Sequence, residues 1–151
     1  MKQIVSLCVI GLLFSFACKK DTASICENLA VQGEYSKNSI IGEWEFASFA
    51  YTANGKTNKT IDAIQKGYIS VTDTGSVGVY HTNSMYYEYI IEHSNKIHFV
   101  LKESTYVNPP QEEIDVVHAF NNTVCYVVTD NTLLLHFTGN KDKNVIILTK
   151  K

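Results

Sequence analysis

Residues 108–137 read NPPQEEIDVVHAFNNTVCYVVTDNTLLLHF, and this stretch decides the fold. Its first part carries a helical period. Ile114, Val116, Val117 and Phe120 fall on one side of a wheel, while Glu112, Asp115 and His118 fall off it. Asn108 has the character of an N-cap, Pro109 suits a first helical position, and Gln111 stands three residues past the cap. A helix is therefore expected over 109–121, ended by Asn121-Asn122. Two runs rich in β-branched and aromatic residues follow, 123–129 and 132–137, joined across Asp130-Asn131 as a hairpin.

Outward from that stretch the chain reads as strands and turns. Upstream, 40–51 places Trp44, Phe46 and Ser48 on one face and Glu43, Glu45 and Ala47 on the other. Asn54-Gly55 is a strong turn signal. Further strands are expected at 67–72, 76–81, 85–91 and 97–101, separated by Asp73-Thr74-Gly75, Asn83-Ser84 and Asn95-Lys96. Downstream, 145–149 makes a last strand after the polar turn GNKDKN. The expected fold class is mainly β: about eight antiparallel strands, with one short helix before the last three. In a domain of this size, closing the sheet into a small barrel removes its exposed edges, and a two-sheet sandwich is the other arrangement.

Composition narrows the function. All 13 basic residues are lysines, the formal net charge is −2, and no lysine run exceeds two. Arginine is the residue of bidentate phosphate and base recognition, so its absence argues against a nucleic-acid partner. The short lysine runs argue against an electrostatic membrane patch.

The N-terminus points to another kind of membrane attachment. Lys2 and the apolar run 4–16 form a secretory signal over 1–17, too short to span a bilayer. Its ending, FSFAC, resembles a lipoprotein signal, with Ala17 before Cys18 and Ser15 where leucine is usual. The resemblance implies that Cys18 becomes the acylated mature N-terminus, a lasting anchor when several chains insert. Lys19 stands where an inner-membrane retention aspartate would, so the expected address is the outer membrane of a Gram-negative envelope, facing either side. Residues 18–39 read as a polar tether and 40–151 as the domain. Within the tether, Asp21-Thr22-Ala23 resembles a short O-glycosylation acceptor centred on Thr22, against the plainer reading of a solvated linker.

The domain resembles the META/HslJ family. Gly42-Glu43-Trp44 resembles the Gly-x-Trp start that family shares with lipocalin-like barrels. His81-Thr82-Asn83 stands at a family turn with its asparagine kept, and Tyr89 ends the aromatic strand. Thr105 through Pro109 matches a second segment only at the threonine. Glu113, Ala119 and Phe120 are similar to the family helix, and Tyr126, Leu133 and Leu135 to its hairpin. Thr82 and Pro109 occupy places where members often carry cysteines. The resemblance implies a lipocalin-like small barrel and no known reaction.

Candidate chemistry is sparse. Cys8 leaves with the signal and Cys18 is taken by lipid, so Cys26 and Cys125 remain, as a disulfide or as two free thiols. His81, His93, His98, His118 and His136 form no metal-binding pair and no CxxC occurs, so no metal or cofactor is expected. His136 alternates with Leu135 and Phe137, which puts it on a wet face. No catalytic triad or nucleophile motif is present, and Glu43/Glu45 and Glu112/Glu113 read as solvated carboxylates. Met85, Tyr86, Tyr87 and Tyr89 offer a surface patch for a protein or glycan, or else one core face and one cover. The expected function is that of a lipid-anchored, non-enzymatic envelope lipoprotein that binds a partner or maintains the envelope. The alternative is a lipocalin-style carrier of a small apolar ligand.

Overall fold

The computed structural model describes Cys26 and residues 36–53, 56–63, 67–92, 95–105, 107–140 and 143–151; of 52–53 and 56–63 it describes the backbone. The signal segment, Cys18 and Thr22 lie outside these residues. Two helices and nine antiparallel strands are present among them: α1 (Lys37–Ile40), β1 (Gly42–Ala53), β2 (Lys56–Ala63), β3 (Tyr68–Val71), β4 (Ser76–Tyr80), β5 (Ser84–Ile91), β6 (Ile97–Ser104), α2 (Gln111–Asn121), β7 (Thr123–Thr129), β8 (Thr132–Phe137) and β9 (Val145–Lys150). Eight strands follow one path, β6-β5-β4-β3-β1-β9-β8-β7, while β2 pairs with the far end of β1. The sheet curls into a barrel that closes incompletely. Its two end strands meet where Lys96 bridges Cys125 and Tyr126 N–H donates to the Asn95 carbonyl at 2.9 Å.

β2 is the strand that periodicity did not reveal. Its residues, KTNKTIDA, are mostly polar, and its pairing with β1 is interrupted by two register shifts. The signal present was the Asn54-Gly55 pair between two extended runs. The alternation in β1 also fails beyond Phe46. A register shift against β9 between Phe46 and Ser48 leaves Ser48, Phe49 and Ala50 all buried.

Helix α2 begins at Gln111, two residues later than its sequence suggests. The reason is steric. Asn108 and Pro109 each precede a proline, which disfavours helical backbone, and Asn108 adopts a left-handed φ of 43°. Pro110 takes the N-cap position, contributes no side-chain cap, and accepts from Glu113 and Ile114 N–H through its carbonyl. The buried face is also rotated: Glu113, Val116, Ala119 and Phe120 are buried, whereas Ile114 is exposed.

The interior is filled by side chains. Trp44, Phe49, Tyr87, Phe120 and Tyr126 are among its largest fully buried groups. Phe120 inserts from α2 between the strands, with ring centroids 5.0 Å from Phe99, 5.4 Å from Tyr87 and 6.4 Å from Phe46. Burying a ring of this size contributes roughly 2–3 kcal/mol. At the opposite end, α1 is capped by Ser36, whose hydroxyl accepts from Ser39 N–H, and Trp44 Nε1–H donates to the Ile40 carbonyl at 2.9 Å.

Cys26 and Cys125 are joined in a disulfide, with Cα atoms 5.8 Å apart across 99 residues of sequence. In the chain-entropy view, a loop of that length is worth about 4–5 kcal/mol. Cys26, Cys125 and Val127 form a second small core outside the barrel, flanked by Val124 and Leu134. His136 is the cross-strand partner of Cys125. Its alternation with Leu135 held, but the expected wet face is covered: His136 is only 2% exposed, and neither ring nitrogen finds a hydrogen-bond partner among the described residues. Burial lowers its pKa to about 4.

Above pH 6.5 the imidazole is neutral in both states. Between 6.5 and about 4 the unfolded chain takes up a proton that the native state refuses, so stability falls as the pH drops through this window. Urea unfolding should show a loss of about 2 kcal/mol from pH 7 to pH 5 that His136→Leu reduces; an unchanged slope would remove His136 as its source.

Candidate functional site

The tyrosine run divides by face. Met85, Tyr87 and Tyr89 are core residues, so the expected surface patch is corrected to Tyr86 alone, 44% exposed. The physical reason is strand alternation: Met85, Tyr87 and Tyr89 point at the filled interior, where Tyr87 meets Phe99 and Phe120. Tyr86 instead joins an aromatic row across the outer face. Tyr68 and Tyr80 are cross-strand partners with rings stacked at 4.7 Å, and Tyr86 meets Tyr80 edge-on at 6.1 Å. The Tyr80 hydroxyl is held above the ordinary phenol value, first by its hydrogen bond with Tyr86 and then by burial.

Beside this row lies a groove of about 520 Å³, lined by Glu45, Phe46, Gly67, Tyr68, Tyr80 and His81. Its volume falls in the range of small-molecule clefts, and its lining mixes rings with a carboxylate and an imidazole. The groove depends on Gly67. A Cβ there would come 2.8 Å from Phe46, 2.9 Å from the Tyr80 carbonyl and 3.0 Å from His81. At one side, Lys151 Nζ lies 4.3 Å from the Tyr68 ring centroid and 3.2 Å from Glu43 Oε2.

Behind the groove, a polar network ties the β4–β5 turn to the first turn of α2. Glu113 is fully buried and accepts twice from Asn83, from its backbone N–H at 2.9 Å and its side-chain amide at 3.0 Å. Asn83 Oδ1 in turn accepts from Val107 N–H at 3.0 Å. His81 Nε2 donates to Glu112 Oε1 at 2.9 Å, since a carboxylate only accepts; its Nδ1 lies 3.2 Å from the Thr82 hydroxyl and 3.8 Å from Glu113 Oε2. The reading of Glu112 and Glu113 as solvated is corrected. The chain reversal at Asn108-Pro109-Pro110 turns the first helical turn inward, and Asn83 supplies the donors that a buried carboxylate requires. No pattern in the sequence links residues 30 apart, although Asn83 and Glu113 were both among those the family resemblance picked out.

The arrangement holds a groove wall rigid and presents one carboxylate, Glu45, and several ring edges to a visitor. No group of three or more histidine, cysteine or acidic side chains suited to a metal occurs among the described residues. His93 lies outside the described residues; of the others, His98 faces Glu92 at 3.4 Å, and His118 meets Phe137 edge-on.

The fold has a solved counterpart. The chain is similar to a DUF4847 family protein from Bacteroides vulgatus, known from its crystal structure, with a TM-score of 0.58 and 13% identity over 73% of this chain and 92% of that one. The two share a fold. No protein-family model matches the chain, and no curated protein does.

Removing the Glu113 carboxylate strands two Asn83 donors in a buried site. Glu113→Ala should destabilise the domain by about 3 kcal/mol, with Glu113→Gln in between, as measured by urea unfolding; an effect below about 0.5 kcal/mol would show that the network is not structural.

Proposed function

We propose that this protein is a lipid-anchored envelope lipoprotein whose domain acts by binding, without catalysis, through the groove beside Tyr68 and Tyr80. The observation that carries the location is the Cys26–Cys125 disulfide. A bond of this kind persists in oxidising compartments, and it joins the polar tether to the barrel a short way past the lipoprotein-like FSFAC ending. Binding is favoured over catalysis because the one histidine in the groove, His81, has Nε2 engaged by Glu112. It stands beside no serine or cysteine nucleophile among the groove-lining residues. The filled interior favours an outer groove over an internal ligand, so the carrier reading is set second.

The META/HslJ relationship belongs to the same proposal. Asn83 and Glu113, two residues the resemblance singles out, bond to each other here. Outer-membrane residence and lipidation of Cys18 extend the reading to the N-terminus.

Two measurements test it. Cys18→Ala should move the protein from the membrane fraction to the soluble fraction, and continued sedimentation with membranes would refute the anchor. Native mass spectrometry of the purified domain should show the bare chain mass. A copurifying apolar molecule would restore the carrier reading.

A further inference from the structure

The groove beside Tyr68 and Tyr80 has an uneven polar inventory. Glu45 is the cross-strand partner of Tyr68 and is exposed, and its carboxylate has no hydrogen-bond or ion-pair partner among the described residues. The acids around it are engaged. Glu43 faces Lys151 Nζ at 3.2 Å, Glu112 accepts from His81 at 2.9 Å, and Glu113 holds Asn83. The side-chain donors of the groove are engaged as well. His81 gives its Nε2–H to Glu112 and has Nδ1 3.2 Å from the Thr82 hydroxyl, while the Tyr80 hydroxyl bonds to Tyr86. What these side chains leave for a ligand is one carboxylate, the Tyr68 hydroxyl and the rings of Phe46, Tyr68 and Tyr80. An anion would meet the carboxylate, with no arginine in the chain to hold it. A sugar brings hydroxyls that both give and accept, and the groove has little to donate to them. A ligand that carries positive charge and asks for few donors fits the set.

We infer that the groove binds a small free alkylammonium cation, its charge held by Glu45 and its alkyl groups by the rings of Tyr68, Tyr80 and Phe46. This inference rests on the groove-binding reading above and names the ligand class. The molecule already displays the chemistry on one of these rings. Tyr80 stacks on Tyr68 with centroids 4.7 Å apart, and Lys151 Nζ lies over the Tyr68 ring, 4.3 Å from its centroid. An ammonium thus sits on this ring beside a carboxylate, Glu43. Glu45 lies two residues further along the same face of β1 and is left over. Among the described residues, this corner therefore holds two carboxylates for one ammonium. Gly67 contributes by what it lacks: a Cβ there would close on Phe46 at 2.8 Å and on His81 at 3.0 Å, and the wall of the groove would move inward. The groove of about 520 Å³ has room for a molecule of this class.

The test titrates the purified full chain, held in a polyoxyethylene detergent, with choline and with 3,3-dimethyl-1-butanol, its uncharged carbon isostere. Backbone amide NMR shifts report both affinity and place. Choline should shift the amides of Gly67, Tyr68 and His81 and bind about tenfold more tightly than the isostere, the worth of a partly desolvated cation on rings and a carboxylate. Glu45→Gln alters an exposed, unpaired group, so it should keep the native spectrum and weaken choline by roughly fivefold. Lys151→Ala removes the neighbouring ammonium and should tighten choline by roughly twofold. Phosphocholine should bind more weakly than choline, because its phosphate meets the two carboxylates; equal or tighter binding would overturn the free amine in favour of a lipid headgroup. No choline binding, equal affinity for choline and the isostere, or an unchanged affinity in either variant would overturn the cation inference. The two failures are distinguishable. Isostere shifts at the groove without a preference for choline would sink the cation and leave the groove, whereas choline shifts confined to residues away from Gly67 would strike the groove reading itself.

Discussion

The seam between β6 and β7 is the constraint on which the rest of the molecule depends. A closed barrel satisfies every strand edge with backbone hydrogen bonds, but among the described residues the two end strands meet only around Asn95–Lys96 and Cys125–Tyr126. Beyond that point they diverge, and the gap has to be filled by something other than a ladder. Helix α2 fills it. Phe120 reaches rings on β1, β5 and β6 from one position, and Ala119 beneath it is small enough to let the helix approach. The aromatic load of the interior is thus the counterpart of the missing hydrogen bonds.

A helix held only by apolar contact would be free to slide along the seam. The pair Asn83–Glu113 prevents this, because a buried carboxylate is tolerated only where its donors are. The requirement fixes the helix in one register against the β4–β5 turn. The same turn carries His81, so one polar network both seats α2 and builds a wall of the groove. Structure and site share their residues here, and for that reason substitutions in Glu113 will act on both.

Much of the fold is legible in the chain. The alternation in 85–91, the hairpin over 123–137 with its turn at Asp130-Asn131, the turn at Asp73-Gly75 and a helix before the last three strands all survive into the structure. What failed, failed for local reasons. The double proline overrode the cap signal at Asn108, a β-bulge broke the alternation after Phe46, and β2 is too polar to declare itself. His136 was assigned to the correct face with the wrong environment, since alternation says which side a residue takes and nothing about what lies over it. The groove was not legible at all. Its walls come from the starts and ends of three strands, and the glycine that makes room for it reads in sequence only as a strand boundary.

Because the seam is closed by a helix, β6 pairs along its length with β5 alone among the described strands. Such an edge is a template for another strand. The residues at its far half are Lys102, Glu103 and Ser104, with Lys102 paired to Glu88 at 2.8 Å across the outer face. A second strand arriving there would have to bury or displace those charges before its backbone could pair. Pairing along this line therefore costs the solvation of those charges.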